Sequence, residues 1–252
     1  MIDLHLIGIG TGNPDHLTRA AESAMRAADL ILLPRKRADT VDLYDLRRAL
    51  CDEVLTPSTR VVAFDLPVRD ADAGYLTGVR TWHAAIADAW TAQIATHLPE
   101  GGRLALLVWG DPSLYDSTLR IAARLQAGGM ALRVTVVPGI TSLQALTAAH
   151  AIPLNDLGAP VLITTGRQLA THCWPTDATT VAVMLDGEGA FTTLDPANTQ
   201  IWWGAYLGMP QQALLSGPLA ETGPTILARR AALRAEHGWI MDCYLLRRST
   251  PA

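Results

Sequence analysis

No stretch of the 252-residue sequence approaches the roughly 20 consecutive apolar residues that a membrane-spanning helix requires, although the mean hydropathy is positive at +0.18. The longest apolar runs, residues 30–34 and 104–109, have the length of strands. The chain opens Met1-Ile2-Asp3-Leu4-His5, with no basic patch ahead of an apolar segment, so no secretory leader is expected and the expected location is cytoplasmic. Cysteine is scarce: Cys51, Cys173 and Cys243 are far apart, odd in number and never in a C-x-x-C pair. That argues against a disulfide framework and a zinc site, and no metal is expected. Charged residues make up only 17% of the chain and the net charge is −4, which speaks against nucleic acid as a partner. Lys36 is the single lysine, every other cation being arginine, and codon bias explains that ratio. Only the position of an arginine therefore carries an argument.

What is abundant is apolar sequence, 49% of the residues, in a chain long enough for two domains. In the first half, β-rich runs at 5–9, 30–33, 60–66, 103–109 and 132–137 alternate with amphipathic stretches at 17–28, 78–97 and 117–127. Strands separated by helices predict parallel β-α-β units. Beyond Ile152-Pro153-Leu154-Asn155 the pattern changes, with strands expected at 161–165, 180–185, 201–206 and 239–246 and helices near Phe191 and over 224–237. The expected organisation is two unlike α/β domains in series, 1–137 with a mostly parallel sheet and 138–252 with a mixed one. There is no internal repeat and no low-complexity linker.

Three strand ends carry the functional signal. Gly8-Ile9-Gly10-Thr11-Gly12-Asn13-Pro14 lies between a strand and a helix, where glycines allow close backbone approach to a ligand. It is not a dinucleotide fingerprint, because Asn13 replaces the third glycine and Pro34 stands where the second strand would end in an acid. A phosphate-binding G-K-[ST] is lacking as well. Trp109-Gly110-Asp111-Pro112-Ser113-Leu114-Tyr115 ends an apolar strand on the side where open α/β sheets bind ligands. Val136-Val137-Pro138-Gly139-Ile140-Thr141-Ser142 ends another in a hydroxyl pair that opens a helix. Each alone reads as a capped helix, with Asn13 or Asp15 capping the first, Asp111 the second and the hydroxyl pair Thr141 and Ser142 opening the third. Three such ends in one sheet point to a ligand crevice.

The trio G-x-G-x-G-x-P-x-x-L-T, G-D-P-x-x-Y and V-V-P-G-I-T-S, followed by I-P-L, resembles the tetrapyrrole (corrin and porphyrin) methylases. The resemblance covers nearly the whole chain: L-V-W-G-D-P-S-L-Y-D-S-T-L-R-I from Leu107, L-I-T-T-G-R from Leu162, M-L-D-G from Met184, W-G-A-Y-L-G from Trp203 and G-W-I-M-D-x-Y-L-L-R-R from Gly238. It implies S-adenosylmethionine held in a cleft between two α/β domains, a homodimer, and a branch that couples methylation of a corrin precursor to loss of an acetyl group as acetate. It also implies cofactor contacts at Thr11, Trp109, Gly110, Asp111, Leu114, Thr141, Ser142, Leu185 and Leu207. The sequence departs from the wider family at Trp109, where a glycine is common, at Thr11, where many members have proline, and at Pro34. There the uroporphyrinogen methylases carry an aspartate proposed as a base, a role that does not transfer to Pro34.

Methyl transfer from a sulfonium needs little side-chain chemistry beyond positioning. Acetyl loss needs a base for water and a stabiliser of the oxyanion. Asp70, His83 and Asp111 are the candidate bases, with Tyr115 as a hydrogen-bond donor. Against this, Asp70 fits a turn or a pair with Arg69, and His83 beside Trp82 fits a partly buried structural histidine. The substrate's carboxylates call for cations after strand ends, namely Arg35, Lys36, Arg69 and Arg167, with Arg37 alongside; solvated surface charge is the simpler reading for about half of them. Of the adjacent pair Trp202 and Trp203, one must face away from the other, so one is expected in the core. The readings in competition are a sister methylase acting on another corrin precursor or on diphthine, and a non-catalytic cofactor-binding module.

Overall fold

A computed structural model describes residues 1–35, 43–56, 59–69 and 74–248 of the chain. It divides into two compact units, Met1–Ile140 and Thr141–Ala252.

The first unit is built on a five-stranded sheet of β1 (Ile2–Gly8), β2 (Leu30–Arg35), β3 (Arg60–Asp65), β4 (Gly102–Val108) and β5 (Leu132–Val137), in the order β3-β2-β4-β1-β5 and parallel throughout. Both faces are covered, so the strands read as nearly continuous apolar runs. The two-residue period sends Leu30, Leu32, Leu104 and Leu106 to one face, where Ile86, Trp90 and Ile94 of α3 (Tyr75–His97) and Ile121 and Leu125 of α4 (Thr118–Ala127) pack on them. Ile31, Leu33, Ala105 and Leu107 go to the other, against Met25 of α1 (Arg19–Ala27) and Leu50, Cys51 and Val54 of α2 (Leu43–Val54). Thr18 caps α1 by accepting from the Ala21 N–H at 3.0 Å.

The second unit has a mixed sheet of β6 (Val161–Thr165), β7 (Thr180–Met184), β8 (Thr199–Ala205), β9 (Ala213–Pro218) and β10 (Asp242–Arg248), in the order β6-β7-β10-β8-β9. Only β6 and β7 pair in parallel; the other pairs are antiparallel. The helices are α5 (Ser142–His150), α6 (Gly166–His172) and α7 (Leu219–His237). Three differences from expectation have local causes. β9 ends in Ser216-Gly217-Pro218 at the sheet edge, which masks its short apolar run Ala213-Leu214-Leu215. α2 has its buried residues only in its last two turns, so its amphipathic signal is weak. α7 begins five residues ahead of Pro224, which sits inside the helix rather than opening it. Trp203 is fully buried, while Trp202 on the opposite face is half-buried under the Arg247 guanidinium, 5.3 Å from the ring centroid. No helix among the described residues is long and apolar enough to cross a membrane.

At the carboxyl ends of β4, β1 and β5 three backbones meet with no room for a side chain. A Cβ on Gly8 would lie 2.6 Å from the Gly139 nitrogen and 2.8 Å from the Gly110 oxygen, and one on Gly139 would lie 2.1 Å from that oxygen. Overpacking a site walled by main chain costs about 1–3 kcal/mol or more. Gly139→Ala is therefore expected to lower the melting temperature by about 2–4 °C for each kcal/mol lost, whereas Gly187→Ala, which meets nothing within 4 Å, leaves it unchanged; thermal unfolding followed by circular dichroism checks both.

Candidate functional site

The glycine contact brings the loops after β1, β4 and β5 together. Gly10 and Gly110 form an isolated antiparallel bridge, with N–H···O distances of 3.3 and 2.8 Å, and both adopt positive φ, 72° and 66°, which a side chain would oppose. Asp111 completes the junction. One carboxylate oxygen accepts from the Ser113 N–H at 2.7 Å and the Ser113 hydroxyl at 2.5 Å; the other accepts from the Gly139 N–H at 2.9 Å. Burial pushes its pKa up, but the Ser113 and Gly139 donors outweigh it and hold the carboxyl below its ordinary value. Asp111 is thus a strut between two loops, and its expected role as a free base gives way to that.

Tyr115, two-fifths exposed, has φ of 50°, and burial of its ring raises the hydroxyl's pKa. His83 on α3 places Nε2 2.9 Å from the Ser117 hydroxyl. Desolvation first, then Arg120 and Arg124, lower its pKa against the pull of Asp116. Thr11 is buried with its hydroxyl 3.4 Å from His16 Nδ1, and Leu114 is half-buried in the Asp111 turn. Asp70 and Lys36, like Arg37, lie outside the described residues. Arg35 does not present a free fork to a substrate: it pairs with Asp65 on the neighbouring strand at 3.0 Å. Arg69 is exposed after β3.

In the second unit Thr141 caps α5 through a capping box with Gln144, and Ser142 is the first residue of that helix. Leu185 follows β7 in a strained conformation, φ 52°, and is 65% exposed, an uncommon combination for an apolar residue. With Arg167 it lines a cavity of about 520 Å³ that Gly166 and the 186–190 turn complete. Leu207 follows Tyr206, φ 50°, and is buried, with its side chain packed against Gly204.

The Leu185 turn is held by acids that the motif reading did not single out. Asp186, buried, accepts from the backbone N–H groups of Glu188, Gly189 and Ala190 at 3.0, 2.8 and 2.6 Å and from the Tyr244 hydroxyl at 2.6 Å. Gly166 is required beside it, since a Cβ there would lie 2.4 Å from the Asp186 carboxyl carbon. Arg230 donates to the Asp186 carbonyl at 2.5 Å and to Asp242 at 2.7 Å, and the Trp203 indole N–H also reaches Asp242 at 2.7 Å. Both acids stand in stretches quoted for the resemblance, M-L-D-G and G-W-I-M-D, neither of which shows its partners.

The family model for Tetrapyrrole (Corrin/Porphyrin) Methylases matches residues 3–223. The chain is 48% identical over 246 residues to precorrin-6A synthase [deacetylating] of Sinorhizobium sp, covering 96% of this chain and 94% of that protein. Among solved structures it is similar to a cobalamin-synthesis-related protein (CobF) from Corynebacterium diphtheriae, at 40% identity and a TM-score of 0.84 over 98% of this chain and 99% of that one. The fold is shared with uroporphyrin-III C-methyltransferase from Thermus thermophilus, solved with S-adenyl homocysteine, at 18% identity and a TM-score of 0.59 over 97% of each chain.

The Arg230–Asp242 pair is 8% and 6% exposed, and burial raises the Asp242 pKa even against Arg230 and Trp203. Arg230→Met leaves that carboxylate without its cation, a loss of about 3–5 kcal/mol. A group whose folded pKa is raised binds its proton more readily in the folded state, so the penalty is full at neutral pH and shrinks as the pH falls through the raised value. Urea denaturation of the variant at a series of pH values measures this; a penalty that does not change with pH contradicts it.

Proposed function

The chain belongs to the tetrapyrrole (corrin/porphyrin) methylases, and on that premise we propose that it methylates precorrin-5 at C1 with S-adenosylmethionine and releases the substrate's acetyl group as acetate, giving precorrin-6A, as a cytoplasmic homodimer. The observation that carries this reading is the near full-length identity to a deacetylating relative, 48% over 96% of the chain. That level extends well beyond the glycine motifs shared with the wider family.

The donor follows from the family the chain belongs to. Leu185 presents an exposed apolar side chain from a strained turn, which suits an apolar face of a ligand. The residues that would hold the donor are Thr11, Trp109, Gly110, Asp111, Leu114, Thr141, Ser142, Leu185 and Leu207. When bound, the donor supplies a methyl group already activated on a sulfonium. The protein's part is then orientation and exclusion of water, and fixed geometry can offset roughly 7–11 kcal/mol of a bimolecular barrier. Asp111 contributes by keeping its loop and the Gly139 turn in one arrangement. Arg69 and Arg167, with Lys36, are the cations for the substrate's carboxylates.

Mass spectrometry of the products formed from precorrin-5 and methyl-labelled S-adenosylmethionine tests the reading. A labelled corrinoid that has lost acetyl, with one acetate released per methyl gained, is expected. Label without acetyl loss identifies a sister methylase, and binding without transfer identifies a non-catalytic module.

A further inference from the structure

The two neighbours of β2 part from it at different points. Its pairing with β3 runs on to Arg35 opposite Asp65, whereas its pairing with β4 stops at Leu32 opposite Leu106. Pro34 explains the difference. On the other side of β4, Gly8 lies opposite Val108, and the Ile9 N–H donates to the Val108 carbonyl at 2.9 Å. A carbonyl of β4 thus takes its hydrogen bond from the residue one beyond its opposite number, and successive carbonyls point to opposite neighbours. The Leu107 carbonyl therefore points to β2, and one further step of the register sets Leu33 against Leu107. The donor that the ladder requires is the backbone N–H of residue 34, which proline lacks. The strand itself is unbroken, because the missing N–H is the one that would face β4 and not β3.

A backbone carbonyl deprived of its ladder partner at a buried strand end must find another donor. Leu107 is buried, and the donor comes from outside the sheet. Arg47 of α2, itself half-buried, donates its Nε–H to the Leu107 carbonyl at 3.0 Å. Pro34, Arg47, Leu107 and Trp109 share the wall of a cavity of about 200 Å³ at the place where the ladder stops.

The position of that carbonyl gives the contact its consequence. β4 ends at Val108, and the loop that begins at Trp109 follows at once. Toward β1 and β5 this loop is tied by the Gly10–Gly110 bridge and by the bond from the Gly139 N–H to Asp111. Toward β2 the ladder has ended, and Arg47 takes its place. Resting on the reading above for what that loop holds, we propose that Arg47 is a positioning residue for the methyl donor: its Nε–H supplies the hydrogen bond that Pro34 cannot, and so fixes the end of β4 from which the Trp109–Leu114 loop departs.

The group that is missing is a single backbone N–H, so the proposal predicts a rescue. Arg47→Met removes the side-chain donor, and Pro34→Ala places a backbone N–H where the register requires one. Hydrogen exchange of the Gly110 amide, which donates to the Gly10 carbonyl at 2.8 Å, reads the loop with no ligand present. Exchange is expected to be about tenfold faster in Arg47→Met, as for a buried acceptor left unpaired. In the double variant Pro34→Ala/Arg47→Met it is expected to return to the wild-type rate. A wild-type rate in Arg47→Met, or a double variant as fast as the single one, overturns the proposal. If Arg47→Met does not fold, a double variant that folds meets the same expectation and one that does not fold overturns it. Calorimetric titration of S-adenosylhomocysteine into the same proteins is expected to show affinity reduced in Arg47→Met and recovered in the double variant, a recovery that lost side-chain packing alone would not give. Exchange restored with affinity still reduced overturns the positioning role. No binding by the wild-type protein overturns the functional reading instead, and the exchange measurement still decides whether Arg47 stands in for the N–H of residue 34.

Discussion

The backbone contact among Gly8, Gly110 and Gly139 is the constraint on which the carboxyl edge of the first unit's sheet depends. A parallel sheet places the carboxyl ends of all its strands on one edge, so the loops after β1, β4 and β5 are neighbours by topology. Topology alone leaves them a side chain apart. Removing Cβ at these positions lets the carbonyl of Gly110 approach Gly139 and lets Gly10 bridge to Gly110. Asp111 then ties the arrangement with a carboxylate that accepts from both loops. The outcome is a close-packed junction of buried main chain whose N–H and C=O groups are satisfied within it.

The second unit reaches a comparable result by burying charge instead of deleting side chains. Asp186 gathers three backbone N–H groups and the Tyr244 hydroxyl, and Arg230 links its carbonyl to Asp242 and so to Trp203. This fixes the turn on which Leu185 is held in a left-handed conformation with its side chain exposed. Strain of that kind persists only where the surroundings over-determine it.

Much of this was legible in the residues. The β-α alternation of the first half and its all-parallel sheet follow from apolar runs separated by amphipathic ones. The three glycine-bearing strand ends were recognisable because tight turns need residues without Cβ. The network around Asp186 was not legible, because its members come from four segments far apart in the chain and an isolated acid carries no record of its partners. Arg35 shows the converse limit: its position after a strand suggested substrate binding, but Asp65, 30 residues on, lies directly opposite in the sheet. β9 escaped because edge strands tolerate the glycine and proline that make a sequence read as a turn.

The central claim is that Asp111, acting through the glycine junction, sets the loops that hold the methyl donor. Calorimetric titration of S-adenosylhomocysteine into wild-type protein and into Asp111→Asn tests it directly, since the amide nitrogen of asparagine would face either Ser113 or Gly139 with a donor against a donor. Losing one of these hydrogen bonds frees one loop of the junction from the other, so affinity is predicted to fall in a variant that remains folded. Wild-type affinity in the folded variant would contradict the account.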